Sequence, residues 1–158
     1  AALHHYLLHL PLGDFAPHTL PPMTEAKAEL IDLSRDSTTR FALAWVDGLI
    51  DGVPVIPALS EDAYALYQAW CQRQGIGRAA PLNKFVDALL KKHRFDGGHG
   101  GGRKWYALNA GRKQGSFLFP PNVGAPVDGK SEAAWLGECV EKFRNAVSDF
   151  KGAAHGGF

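Results

Sequence analysis

The sequence predicts a mainly α fold with one small β-hairpin, in the α+β class. Two observations carry this. Apolar residues recur at helical spacing in three consecutive segments between residues 37 and 93, and two short strand-like segments then bracket a glycine-rich run. A length of 158 residues is enough for one ordinary domain with its own core.

Residues 1–10 open directly in a helical pattern (Ala2, Leu3, Tyr6, Leu7, Leu10) without a starting Met, as expected of a piece of a longer protein. This stretch has neither a basic leader nor a cleavage site, and so does not read as a signal peptide. Pro11, Gly13, Pro17, Pro21 and Pro22 then predict an extended linker. Thr24 can cap a helix from Glu25 to about Ser34. Residues 1–36 thus read as a helical extension and linker.

Asp36 and Ser37 restart the chain. Phe41, Ala42, Trp45, Val46 and Leu49 form the stripe of the next helix, which Asp51-Gly52 ends. Residues 53–56, VPVI, are too short for a helix and predict a short edge strand. Ser60 is expected to cap a helix whose first turn holds Glu61 and Asp62, suited to its dipole. Ala63, Leu66, Tyr67, Trp70 and Cys71 make its apolar side. Pro81 fits the first turn of a third helix, in which Leu82, Phe85, Val86, Leu89 and Leu90 face inward and Lys84, Asp87, Ala88 and Lys91 outward.

Arg94-Phe95 and residues 104–108, KWYAL, then predict two strands joined across DGGHGGG at 96–102, a mobile tip. The order helix, strand, helix, turn, helix, strand, glycine-rich loop, strand is that of a winged helix-turn-helix over residues 37–110. Residues 111–158 read as an irregular linker, with a possible strand at 117–119, and a C-terminal helix capped by Ser131. Cys71 and Cys139 each fall in an amphipathic helix and read as small buried hydrophobes.

The formal net charge of +1 conceals an uneven distribution. Between Gln72 and Lys113 lie ten basic residues and two acidic ones, a net +8, while the remainder of the chain carries −7. Such a segment is an electrostatic footprint for a polyanion, although a solvated basic face would look the same. Within the expected fold, Arg78 lies in the turn before the recognition helix. Asn83, Lys84, Lys91 and Lys92 lie on or beside its outer side, and Arg94, Arg103 and Lys104 lie at the bases of the wing. Lysine and arginine there would neutralise phosphates and release counterions. Asn83 can read an adenine edge, but with Asp87 and Ala88 beside it the base-reading surface is thin, so backbone contacts should dominate. Duplex DNA is the favoured partner. A single strand stays open, because Trp105 and Tyr106 can stack on bases, although alternation should bury one of them.

Two other motifs are set aside. Residues 124–131, GAPVDGKS, match the phosphate-binding pattern G-x-x-x-x-G-K-[ST]. That loop should follow a buried strand and needs a parallel sheet, whereas here Pro120, Pro121 and Asn122 precede it and a single helix follows. The simpler reading is a loop ending in Gly129. His5 and His9 have chelating spacing, but no third ligand accompanies them. No metal, cofactor or catalytic residue is expected, and no apolar run approaches the roughly 20 residues of a membrane span.

The pieces LLHLPLGDF, PPMTEAK and LIDLSRD within residues 3–40 resemble the segment after the ATPase domain of phage and prophage replicative primase–helicases of the superfamily 3 type. ALYQAWCQRQG, NKFVDALLKKHRF and RKWYAL resemble their C-terminal winged-helix region. The resemblance covers about two thirds of the chain. It implies a non-enzymatic DNA-binding appendage in the bacterial host cytoplasm, attached to an upstream ATPase domain, with DNA contacts at Lys84, Lys91, Arg103 and Lys104. Nothing in it matches the glycine-rich run or the tail after Gly111. The alternative is a protein–protein interaction module of the replication complex, using an apolar surface around Phe117, Phe119 and the first helix.

Overall fold

A computed structural model describes residues 36–97, 103–109, 111–124, 126 and 129–153, together with residues 5, 6, 9, 24, 25 and 27. The chain divides into two units, Ala1–Ser34 and Arg35–Phe158. In the first, Thr24 Oγ1 accepts from the Lys27 backbone N–H at 3.3 Å, the expected cap. His9 Nδ1 lies 2.8 Å from the His5 carbonyl oxygen, and the two rings stack at 4.2 Å. The other calls on residues 1–34 lie outside the described residues.

The second unit is mixed α and β, with four described helices and two small antiparallel two-stranded sheets. Helix α1 (Ser37–Val46) starts where the Asp36 carboxylate accepts from the Thr39 N–H at 2.8 Å. It buries Phe41, Ala42 and Trp45. It stops earlier than the stripe suggested, at Gly48, whose φ of 68° only glycine adopts freely. Leu49 is left 72% exposed. The expected strand at 53–56 does not form. Pro54 has no N–H to give a ladder, and its carbonyl instead takes the Trp45 indole N–H at 3.2 Å.

The strand is displaced to β1 (Ala58–Leu59), and α2 (Ser60–Arg73) follows without a break. Ser60 is already helical, so it is not the cap. It is buried, and its hydroxyl and N–H both donate to the Ser116 carbonyl, at 3.2 and 2.9 Å. The apolar side of α2 is as expected. Its two tyrosines then hold the following turn: the Tyr67 hydroxyl accepts from the Ala80 N–H at 2.9 Å, and the Tyr64 hydroxyl donates to the Ala80 carbonyl at 3.1 Å. That turn leads into α3 (Leu82–Lys92). Pro81 sits just outside as the N-cap, and Phe85 and Leu89 are fully buried. The Phe85 ring stacks on Tyr67 at 4.7 Å.

After α3, Arg94 takes a φ of 57° and turns the chain so that the Phe95 N–H reaches back to the Leu89 carbonyl. Arg94-Phe95 therefore does not pair with residues 104–108. Phe95 is buried against Trp45, and Asp96 exchanges both backbone hydrogen bonds with Phe119. Strand β2 (Lys104–Leu108) pairs instead with β3 (Gly111–Gly115), in a stretch the pattern left irregular. Leu108 opposite Gly111 leaves two residues to turn, and Asn109 at φ 48° suits a tight hairpin. Closing this short loop costs less chain entropy than closing the seven-residue glycine-rich run. Of the expected mobile tip at 96–102, Asp96 is instead bridged to Phe119, and residues 98–102 lie outside the described residues.

Strand β4 (Phe117–Leu118) returns to pair with β1, Ala58 opposite Leu118 and Leu59 opposite Phe117. Helix α4 (Glu132–Gly152) starts at Ser131, whose hydroxyl accepts from the Ala134 N–H at 3.3 Å as expected. Where the pattern places a boundary at residue 110, packing runs on without one: α4 lies against α2, β1 and β2. Phe143, Val147 and Phe150 complete the main core of α1, α2 and α3. Leu136 and Val140 form a second core with Leu59, Tyr106 and Phe117. Both cysteines are free and buried, and burial pushes both thiols above their ordinary pKa. Among the described residues, no helix is long and apolar enough to cross a membrane.

Candidate nucleic-acid interface

The basic residues fall into two groups on different supports. The first group follows α3. Burial of Phe85 and Leu89 turns one side of this helix inward, so Asn83, Lys84, Asp87 and Lys91 are exposed on the rest. Arg78 is exposed in the preceding turn. Lys92 and Arg94 are exposed at the C-terminal end.

Ion pairing divides this group. Lys91 reaches Asp87 at 2.7 Å, one helical turn back, and Lys92 lies 3.6 Å from Asp36. Arg78, Lys84 and Arg94 make no ion pair among the described residues. Pairs as exposed as these contribute about 0–1 kcal/mol and are screened by salt. Lys91 and Lys92 can therefore exchange their carboxylates for a phosphate at small cost.

His93 ends α3 with Nε2 3.2 Å from the Thr39 hydroxyl. Burial holds its pKa below the ordinary imidazole value. Lys92 adds to that depression and Asp36 opposes it. Burial alone would raise the Asp36 pKa. The N–H and hydroxyl of Thr39, together with Lys92, outweigh burial and hold it below the usual carboxylate value.

The second group lies on the β2–β3 hairpin. Arg103 is exposed, and Lys104 is half-buried with its ammonium 2.9 Å from Glu132. The sequence places these two beside α3 at the bases of a wing. In the structure they belong to a hairpin resting on α4. Arg103 also lines a cleft of about 130 Å³ with Ser60, Glu61, Gln114 and Arg144. Arg144 is itself tied to Asp62 at 2.8 Å.

Three further exposed residues sit on this hairpin and had no assigned place: Arg112, Lys113 and Gln114. Tyr106 is 5% exposed and Trp105 53%, which settles which of the adjacent aromatics faces water. The turn residues Asn109 and Gly111 directly after the strand-like KWYAL were the available signal for this hairpin. The longer glycine-rich run masked it.

Lys130, in the loop that matches the phosphate-binding pattern, bonds both carboxylate oxygens of Glu138 at 2.6 and 2.9 Å and pulls that acid's pKa down. Gly129 turns at φ 91° and Ser131 caps α4, the arrangement of a helix entry. Among the described residues, no group of three or more His, Cys, Asp or Glu could hold a metal ion. In comparisons with known proteins, no family model matches this chain, and no curated protein or solved structure matches it.

Proposed function

We propose that this chain is a nucleic-acid-binding module built on a winged helix. It would serve a phage or prophage replication protein beside an ATPase domain and perform no chemistry of its own. The observation that carries the reading is strand connectivity. Helix α3 runs into Asp96, Asp96 bridges Phe119, and the strand containing Phe117 pairs with β1. The spatial order β1, β4, Asp96, with α1 before β1 and α2 and α3 between β1 and Asp96 along the chain, is compatible with a winged helix, in which the third helix would be offered to a DNA groove. Arg78, Lys84 and Arg94, exposed and without an ion pair among the described residues, fall along that helix and its two ends. Contacts of this type act mainly on phosphates and give weak sequence preference.

The test is fluorescence anisotropy of duplex DNA across a salt series, for the wild type and an Arg78→Ala/Lys84→Ala/Arg94→Ala variant. The wild type should lose affinity steeply with salt. The slope of the variant should be shallower by about 0.9 for each lost phosphate contact. An absence of binding at low salt would overturn the reading.

A protein-interaction role has its own supporting observation, at a different place from the one expected. Phe117 is 1% exposed and Phe119 half-buried, so these rings are core and not a docking surface. Instead Val46, Val55, Ile56, Val123 and Trp135, with Asn122 beside them, line an open hollow of about 470 Å³.

A further inference from the structure

We propose that the exposed side of the β2–β3 hairpin, formed by Trp105, Gln114 and Arg112 with Arg103 beside it, stacks an unpaired base and so takes single-stranded nucleic acid. This deepens the nucleic-acid reading and rests on it.

In a strand, successive side chains point to opposite sides. Tyr106 goes into the core with Leu59, Phe117, Leu136 and Val140, which drives Trp105 outward. Alternation alone explains the direction. It does not explain why so large an apolar ring stands in water. Trp45 and Trp70 are 0% and 7% exposed, against 53% for Trp105.

The surroundings of Trp105 point to the ligand. Gln114 is directly opposite it, and Arg112, opposite Ala107, shares its side of the ribbon. Arg103 lies two positions earlier. Residues 103–116 carry four cations and no acid. Of these cations Arg103 and Arg112, on the Trp105 side, make no ion pair among the described residues, whereas Lys113 is opposite Tyr106 on the other side. An aromatic ring amid unpaired cations suits a chain that has flat bases on a phosphate backbone. An apolar protein surface would bury these charges without partners.

The platform is also held rigidly. A Cβ at Gly137 would stand 2.1 Å from the Ala107 carbonyl oxygen, so α4 meets the β2 backbone directly. One at Gly115 would stand 2.4 Å from Leu59 Cδ2. Lys104 is tied to Glu132. A stacked base needs its face free, and in a duplex both faces are covered by neighbours, so the ligand is an unpaired strand. Stacking reads no base edge, so sequence preference should be weak.

The experiment compares wild type, Trp105→Ala and Trp105→Phe, all as the full chain, binding labelled oligo-dT of about 16 nucleotides and a duplex of the same length. Stacking of one base corresponds to roughly 5- to 150-fold in affinity. Trp105→Ala should therefore weaken oligo-dT binding about tenfold or more and leave duplex binding within about twofold. Trp105→Phe should retain most of it, and oligo-dT should quench the wild-type tryptophan emission more than that of Trp105→Phe. Unchanged oligo-dT affinity in Trp105→Ala, with duplex binding intact, would overturn the hairpin proposal alone. Equal loss of both ligands at an unchanged Tm would overturn it too, since the residue would then not distinguish strands. A wild type that binds neither ligand at low salt would remove the nucleic-acid reading itself.

Discussion

Helix α3 and the β2–β3 hairpin are both basic and exposed, yet they are built to present different things. In α3 the apolar side chains Phe85 and Leu89 anchor one side of a cylinder. Two of its lysines are balanced by Asp87 and Asp36, and among the described residues of α3 and its ends no exposed aromatic accompanies them. The hairpin has no acid of its own, lies backbone-to-backbone against α4, and holds a tryptophan outward. Similar charge on a cylinder suits a groove, whereas on a flat ribbon with an aromatic ring it suits a stacked base. Net charge alone does not distinguish the two.

The largest way to break this comparison is to remove the anchor of α3. Phe85→Ala should lower stability by about 3–5 kcal/mol, because a fully buried aromatic leaves a cavity between α1, α2 and α3. Urea denaturation measures it. A loss under about 1 kcal/mol would mean that α3 is not held as described.

Next comes the hairpin's support. Gly137→Ala would gain up to about 1 kcal/mol of helix propensity. It must nevertheless push the Ala107 carbonyl away, and overpacking of this type costs about 1–3 kcal/mol. A net loss of stability is expected, and oligo-dT binding should suffer more than duplex binding, because the hairpin shifts while α3 stays. A variant as stable as wild type with both affinities unchanged would show that the contact does not position the hairpin.

The smallest effect concerns pH at the end of α3. The pKa of His93 is depressed in the folded state, so below the ordinary value of about 6.5 the unfolded chain takes up a proton first. Its contribution is therefore full above that pH and is lost as pH falls through the window below it. His93→Gln should flatten the decline of Tm between roughly pH 7 and pH 5. An unchanged pH profile would show that His93 is as solvated when folded as when unfolded.

Much of this was legible in the residues. The stripes of α1, α2 and α3, apart from the exposed Leu49 and Leu90, the Ser131 cap and the exposure of Lys84 follow from periodicity and caps. The neighbourhood of Trp105 did not, because β3 (GRKQG) carries no apolar alternation and four of its five residues are exposed. The misplacement of strand 53–56 has the same origin: a short apolar run with a proline marks a buried extended segment but not its partner.

By itself the sequence determined where the chain is helical and where it is basic, since helix hydrogen bonds close within four residues and charge is a property of composition. Only the tertiary structure decided that Lys104–Leu108 pairs with Gly111–Gly115, that α4 completes the core, that Trp105 and not Tyr106 faces water, and which cations carry a carboxylate partner. Strand pairs, packing and ion pairs join residues distant along the chain, and only packing of the whole unit selects among the possible partners.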